Sequence, residues 1–158
     1  MLDQQTRKQI IDLIHREVVP AVGCTEPMAV ALCTARATET LGCKPQHITA
    51  LLSANILKNA MGVGIPGTGM IGLPIAIAMG ALVGRSEYGL EVIKDLTPDS
   101  LEEGKAFIAD NRIDIKLKEG ITEKLYAEVI CEADGHQARA IIATSHTNFV
   151  LIEHDGET

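Results

Sequence analysis

The sequence predicts an α+β fold in which a helical lobe with a buried glycine- and alanine-rich helix is followed by a small antiparallel sheet. Before residue 96, apolar residues recur at helical spacing, and an uncharged tract covers residues 60–84. After residue 112, apolar and polar residues alternate over short segments that turn residues separate. Helices followed by strands are typical of α+β proteins. We therefore expect residues 1–96 to form a helical lobe that carries the site, and residues 97–158 to form a helix plus an antiparallel β meander.

The helices are predicted from apolar spacing and from their start and stop residues. Residues 6–19 place isoleucine, leucine and valine on one side, with charged residues between them. Residues 26–41 are rich in alanine and end at a glycine, with a proline shortly beyond it. Residues 48–53 fit both a short strand and the start of a helix. Further helices are expected at residues 54–61, 88–95 and 99–110. The last of these follows Thr97 as N-cap and Pro98 in the first turn.

The uncharged tract at 60–84 is predicted to contain a buried central helix. Its glycines and prolines interrupt any continuous lipid-exposed helix, and its unbroken run is shorter than the ~20 residues that a membrane span needs. Small residues such as Ala76 and Gly80 allow close helix packing. We therefore expect no association with a membrane.

The sheet is predicted from period-two alternation. Asp134-Gly135 is a hairpin turn signal between two of the alternating segments. Strands are expected at residues 113–118, 125–133, 137–144 and 148–153.

Composition and charge exclude several classes of function. With 158 residues and 46% hydrophobic content, the chain can fill one core or two small lobes. A formal net charge of −7 leaves no basic face, and few aromatic residues are present, so we expect no nucleic-acid partner. The charged first segment and the absence of C-x-x-C spacing favour a cytoplasmic protein with reduced thiols and no zinc clip.

The most informative motif is Cys24-Thr25-Glu26-Pro27. Thr25 as N-cap, Glu26 in the first turn and an early Pro27 indicate a helix start. Cys24 therefore precedes a helix N-terminus, where the helix dipole favours the thiolate. A cysteine there can act as a base, a nucleophile or a metal ligand. Alternatively, Cys24 is a small residue that packs at the helix entry.

The second motif is a glycine-rich loop near residues 58–69. The side chains of Lys58, Asn59 and Thr68 and the amides of Gly67 and Gly69 could hold a carboxylate or a phosphate. The spacing matches neither a Walker loop nor a complete dinucleotide fingerprint. The alternative is a tight loop between packed helices.

These motifs, with their flanks, resemble a known family. The segments are VGCTEP at 22–27, SANILKNAMGVGIPGTG at 53–69, GLPIA at 72–76 and HTN at 146–148. In this order they are similar to the iron–sulfur L-cysteine desulfidases and their relatives, the L-serine dehydratase alpha-chain superfamily. The resemblance runs along essentially the whole chain and corresponds to the N-terminal portion of such an enzyme.

The resemblance implies a lyase of amino-acid catabolism that eliminates the β-substituent of cysteine or serine, giving pyruvate, ammonia and sulfide or water. In the family a [4Fe–4S] cluster acts on the leaving group and a protein base takes the α-proton, without pyridoxal phosphate. The family's cluster cysteines lie mostly in a part that this chain lacks. The resemblance thus implies a C-terminal half or a partner chain that carries them, a homo-oligomer, and an isolated chain without activity.

Carried onto this sequence, the resemblance gives a set of candidate site residues. The candidate catalytic residues are Cys24, proposed as the base, and Glu26. His146 fits a site residue and a solvated turn about equally. A non-catalytic amino-acid-binding or scaffold domain is the alternative function. The candidate substrate-binding residues are Thr25, Lys58, Asn59, Gly67, Thr68, Gly69, His146 and Asn148, and no metal ligand is expected in the chain.

Overall fold

The structure is a computed structural model that describes residues 25–65 and 67–158. The helix expected at 6–19 and the candidate base Cys24 lie outside these residues. The α+β class is confirmed. In chain order the elements are α1 Thr25–Leu41, β1 His47–Leu52, α2 Ala54–Ala60, α3 Leu73–Leu82, a 3₁₀ segment Ser86–Glu91, α4 Pro98–Ala109, β2 Ile113–Leu117, β3 Tyr126–Ala133, β4 His136–Ala143 and β5 Phe149–His154.

The five strands form one mixed sheet with the order β2-β1-β3-β4-β5. The expected antiparallel meander holds for β3, β4 and β5, and β1 is antiparallel to β3. The expectation of a wholly antiparallel sheet was wrong, because β1 pairs in parallel with β2. The connection from β1 to β2 runs through α2, α3 and α4, and a crossover of this kind gives parallel pairing. The ambiguous segment 48–53 is therefore a strand, and it joins the two predicted parts of the chain in one sheet.

Helix α1 packs against one face of the sheet through small buried residues. The Cys33 thiol donates a hydrogen bond to the carbonyl oxygen of Ala140 at 3.1 Å and lies 3.5 Å from that of Ala127. Further along α1, the Thr38 hydroxyl lies 3.6 Å from the Cys131 sulfur. The helix thus touches β3 and β4 directly, and this fixes where its first residues lie.

Helix α3 is the expected buried helix, and it packs against α1 and α4. A Cβ atom at Gly80 would lie only 2.5 Å from the carbonyl oxygen of Ala31, so glycine permits the close approach. Gly104 of α4 faces the Met79 side chain in a similar way. Within the described part of the chain, no helix combines the length and the apolar character that crossing a bilayer requires.

The prediction of a helix at residues 88–95 was wrong. Residues 86–91 form a 3₁₀ segment instead, and Gly89 has φ 59° and ψ −130°, which no helix accommodates.

The predicted start of α4 is confirmed. The Thr97 hydroxyl accepts a hydrogen bond from the Ser100 amide at 3.1 Å, and the Ser100 hydroxyl accepts one from the Thr97 amide at 2.8 Å. The cap by Thr97 is what the Thr-Pro start predicted, and the reciprocal hydrogen bond to Ser100 completes a capping box.

The opposite face of the sheet carries a buried carboxylate, Glu128 of β3, which is 2% exposed. The Tyr126 hydroxyl donates to it at 2.7 Å, and Lys118 and Arg139 contact it at 3.2 Å each. Burial alone would raise the pKa of the Glu128 carboxyl. The hydrogen bonds from Tyr126 and Lys118 and the charges of Lys118 and Arg139 outweigh burial and hold that pKa below its ordinary value.

Candidate functional site

The start of α1 brings together candidate residues from distant parts of the sequence. Thr25 and Glu26 begin the helix, and the Thr25 hydroxyl donates to Oε2 of Glu26 at 3.2 Å. The other carboxylate oxygen, Oε1, lies 3.7 Å from Nε2 of His146, in the turn between β4 and β5. Cys24 precedes Thr25 in the sequence but lies outside the described residues.

His146 presents an unsatisfied nitrogen next to Glu26. Its Nε2 atom is buried, and no hydrogen-bond partner reaches it among the residues that the structure describes. The 3.7 Å separation from Glu26 is too long for a hydrogen bond. A buried polar atom without a partner is uncommon and calls for an explanation. A small polar group that came within hydrogen-bond distance of Nε2 would satisfy it.

The turn that carries His146 is held by its own hydrogen bonds. The side-chain amide of Asn148 donates to the carbonyl oxygen of Ala143 at 3.0 Å and to the Thr144 hydroxyl at 3.1 Å. Thr144 has φ 73°, a left-handed conformation that closes the turn. The Asn148 side chain therefore positions the turn beneath His146, and its amide nitrogen is already engaged.

A cleft of about 960 Å³ joins the α1 start to the glycine loop, because both Thr25 and Gly67 line it. Its volume lies in the range of small-molecule sites. Glu91 and Lys94 give the cleft a charged edge, which the sequence motifs did not indicate. The Lys94 ammonium also lies 4.0 Å from the centre of the Tyr88 ring. The apolar part of the wall consists of Met28, Leu90, Ile93, Leu96, Pro98 and Leu101.

The glycine-rich loop is tightly folded on itself. The Thr68 hydroxyl donates to the carbonyl oxygen of Ile65 at 2.8 Å and accepts from the Met70 amide at 3.0 Å. Gly67 and Gly69 have φ of 78° and 66°, which favour glycine. The Thr68 side chain is buried and fully engaged in the loop. The geometry is that of a tight loop between helices, which presents Gly67 to the cleft.

Lys58 and Asn59 are not brought to this site. Both are exposed on α2. Lys58 lines a different cavity, of about 490 Å³, together with Lys118 and Lys124. Neither residue lies among the described residues that line the cleft beside Thr25. The residues expected to bind the substrate's carboxylate therefore lie in two different places. Lys94, and not Lys58, lines the same cleft as Thr25.

The described cysteines do not fit an iron–sulfur cluster. Burial raises the pKa of the Cys33 thiol, and burial raises that of Cys131 to about 12. Both thiols are engaged in the core between α1 and the sheet, whereas Cys43 is exposed just beyond the other end of α1. A cluster needs several thiolates around one space. No set of described residues offers them.

Comparison with known proteins gives close relatives. The chain is 70% identical over 152 residues to a UPF0597 protein of Phocaeicola vulgatus, which is 96% of this chain and 35% of the relative. It is 67% identical over 156 residues to a UPF0597 protein of Bacteroides fragilis, and the match covers 99% of this chain and 36% of the relative. It is 51% identical over 148 residues to a UPF0597 protein of Oleidesulfovibrio alaskensis, and the match covers 94% of this chain and 34% of the relative.

The chain thus spans about a third of the length of the curated relatives it matches. No protein-family model matches the chain. No solved structure matches it significantly.

Proposed function

We propose that this chain is the N-terminal part, or a subunit, of a cytoplasmic iron–sulfur-dependent amino-acid lyase. The reaction eliminates sulfide from L-cysteine or water from L-serine, and gives pyruvate and ammonia. The observation that carries the proposal is the meeting of three of the resembling segments around the start of α1. Thr25 and Gly67 line one cleft, and His146 lies against Glu26.

The elimination requires a group that takes the α-proton of the substrate. Cys24, which precedes Thr25 in the sequence, is the base in this proposal. Glu26 lies two residues further on, and the Thr25 hydroxyl donates a hydrogen bond to one oxygen of its carboxylate. In this position Glu26 accepts a proton or orients the group that does.

The elimination also requires groups that bind the substrate's carboxylate. Nε2 of His146 gains its missing hydrogen bond if it donates to that carboxylate. Lys94 supplies positive charge at the edge of the cleft that Thr25 lines, and the amides at the start of α1 add to that charge. Thr25 is next to Glu26 in the sequence, although neither Glu26 nor His146 is among the described residues that line this cleft. A small α-amino acid is the size of ligand that these few groups can hold.

The cysteines that would hold the [4Fe–4S] cluster belong, in this proposal, to the remainder of the longer protein or to a partner chain. This assignment follows from the poor fit of Cys33, Cys43 and Cys131. A homo-oligomer, as implied by the resemblance, remains part of the proposal. No pyridoxal phosphate is involved.

A chimaera tests this proposal. This chain replaces the matching segment of the Phocaeicola vulgatus relative, to which it is 70% identical. Under anaerobic conditions and after iron–sulfur reconstitution, the chimaera should release pyruvate and sulfide from L-cysteine, or pyruvate from L-serine. The same chain alone is the control and should release neither. A reconstituted chimaera that releases no pyruvate from either amino acid would contradict the lyase proposal.

The second candidate is a non-catalytic amino-acid-binding or scaffold domain. Two observations favour it: the Thr68 hydroxyl is engaged within its own loop, and Lys58 lines a different cavity from Thr25. Binding of L-cysteine or L-serine by the chimaera, measured by calorimetry and without turnover, would support this candidate instead.

A further inference from the structure

Two histidines and one aspartate meet at an exposed edge of the sheet, away from the cleft. His136 is the first residue of β4, His154 is the last residue of β5, and Asp155 follows it. The pairing of Ala138 with His154 brings the two strand ends together. Nδ1 of His136 lies 2.9 Å from Oδ2 of Asp155, and Nδ1 of His154 lies 3.5 Å from the same oxygen.

The backbone orients the Asp155 carboxylate. Its other oxygen, Oδ1, accepts a hydrogen bond from the Gln137 amide at 2.8 Å, and the Asp155 amide donates to the Gln137 carbonyl oxygen at 2.7 Å. Oδ2 is therefore turned towards both imidazoles. Positive φ at Asp155 and Gly156, with the His154 amide donating to the Glu157 carbonyl oxygen at 2.8 Å, closes the turn that holds His154 and Asp155.

The spacing of these atoms is close to that of ligands around one ion. Zinc binds imidazole nitrogen and carboxylate oxygen at about 2.0–2.2 Å, so two ligands of a tetrahedral ion lie roughly 3.3 Å apart. The three ligand atoms of His136, His154 and Asp155 all lie within 4.8 Å of one another. The histidine side chains are 63% and 45% exposed, which leaves room for water as a further ligand and for small rotations of the rings.

We propose that His136, His154 and Asp155 form a binding site for one divalent transition-metal ion, which links the start of β4 to the end of β5. Two imidazoles and a carboxylate suit Zn²⁺, Ni²⁺, Co²⁺ or Cu²⁺ and are a poor set for Mg²⁺ or Ca²⁺. The hydrogen bond from Gln137 to Oδ1 is the kind of outer contact that orients a metal-binding carboxylate. The site is independent of the proposed lyase reaction.

Titration of the full chain with Zn²⁺ tests the site. Calorimetry measures the stoichiometry and the affinity, and ¹⁵N spectra of the histidine side chains report which ring nitrogens bind. The variants are His136→Gln, His154→Gln and Asp155→Asn. The matched control is His47→Gln, because Nε2 of His47 lies 3.0 Å from Asp114 in an exposed pair to which no third residue of the described chain adds a ligand. A Cys43→Ser variant controls for the exposed thiol.

We expect one equivalent of Zn²⁺ to bind and to shift Nδ1 of His136 and His154. Each site variant should weaken binding by more than the ~10- to 100-fold that loss of an outer contact costs. His47→Gln and Cys43→Ser should bind as the unmodified chain does. Absence of stoichiometric binding, or binding that survives both histidine variants and disappears in Cys43→Ser, would overturn the proposal.

Discussion

The carboxylate of Glu26 and the imidazole of His146 are neighbours, with 3.7 Å between Oε1 and Nε2, although they come from α1 and from the turn between β4 and β5. They meet because α1 crosses the sheet with its buried face on β3 and β4 and begins where the turn between β4 and β5 lies. The site therefore draws on both parts of the chain and depends on this packing.

Substitution of Glu128 should destabilise the protein. Glu128→Gln removes the charge that satisfies Lys118 and Arg139, and it weakens the hydrogen bonds to a buried group. Both cations still reach water, so we expect a loss of about 1–3 kcal/mol in the free energy of unfolding. Urea denaturation measures it. Glu132→Gln, an exposed position on the same strand, is the control and should change stability by less than about 0.5 kcal/mol. Equal effects of the two variants would contradict this role of Glu128.

The same carboxylate should make stability depend on acid pH. Because the folded pKa of Glu128 is lowered, its contribution is present above the unfolded pKa of about 4.3. The contribution is lost as the pH falls through the folded pKa. The stability difference between the unmodified chain and Glu128→Gln should therefore narrow on acidification from neutral pH. A difference that stays constant down to acid unfolding would show that the charge contributes nothing.

Close packing of α1 on α3 should make Gly80 intolerant of a methyl group. Gly80→Ala places a Cβ atom 2.5 Å from the carbonyl oxygen of Ala31, so one of the helices must shift. We expect a loss of about 1–3 kcal/mol, measured by thermal or urea denaturation. Gly62→Ala is the control, because no atom lies within 4 Å of its added Cβ. A neutral or stabilising Gly80→Ala would mean that the helices are less tightly packed than described.

The thiols should differ sharply in reactivity. Cys43 is exposed, whereas Cys33 and Cys131 are buried and burial raises their pKa values. Under native conditions iodoacetamide should modify Cys43 and leave Cys33 and Cys131 unmodified until the protein is unfolded. Peptide mass spectrometry measures this. Modification of Cys33 or Cys131 at the rate of Cys43 would remove the argument that these two cannot serve as cluster ligands.

Much of the fold follows from local patterns in the sequence. Alternation predicted β2 to β5 to within one or two residues, and the Thr97-Pro98 start predicted α4. Two elements were not predictable in this way. The 3₁₀ segment depends on the positive φ of Gly89, and β1 became a strand through pairing with β2 and β3, which no local pattern contains.

The candidate site was predictable in part. The motifs identified Glu26 and His146 as candidates for one site but did not predict their direct contact, which follows from the packing of α1 on the sheet. Lys94 was missed because it lies in a segment expected to be an ordinary helix. Thr68 looked like a ligand in the sequence, yet its hydroxyl closes the loop that contains it. Side-chain partners of this kind depend on the loop's conformation and have no signal in the sequence.

A double-mutant cycle on Glu26 and His146 tests the central claim most directly. In the chimaera, kcat/KM for L-cysteine is measured for Glu26→Gln, His146→Gln and the double variant, with the exposed Glu119→Gln as control. If the two residues act in one elimination site, each single variant should lose ~10²-fold or more without a change in Tm. The double variant should then lose little beyond either single one. Full activity in both single variants, or losses that multiply in the double variant, would contradict the claim.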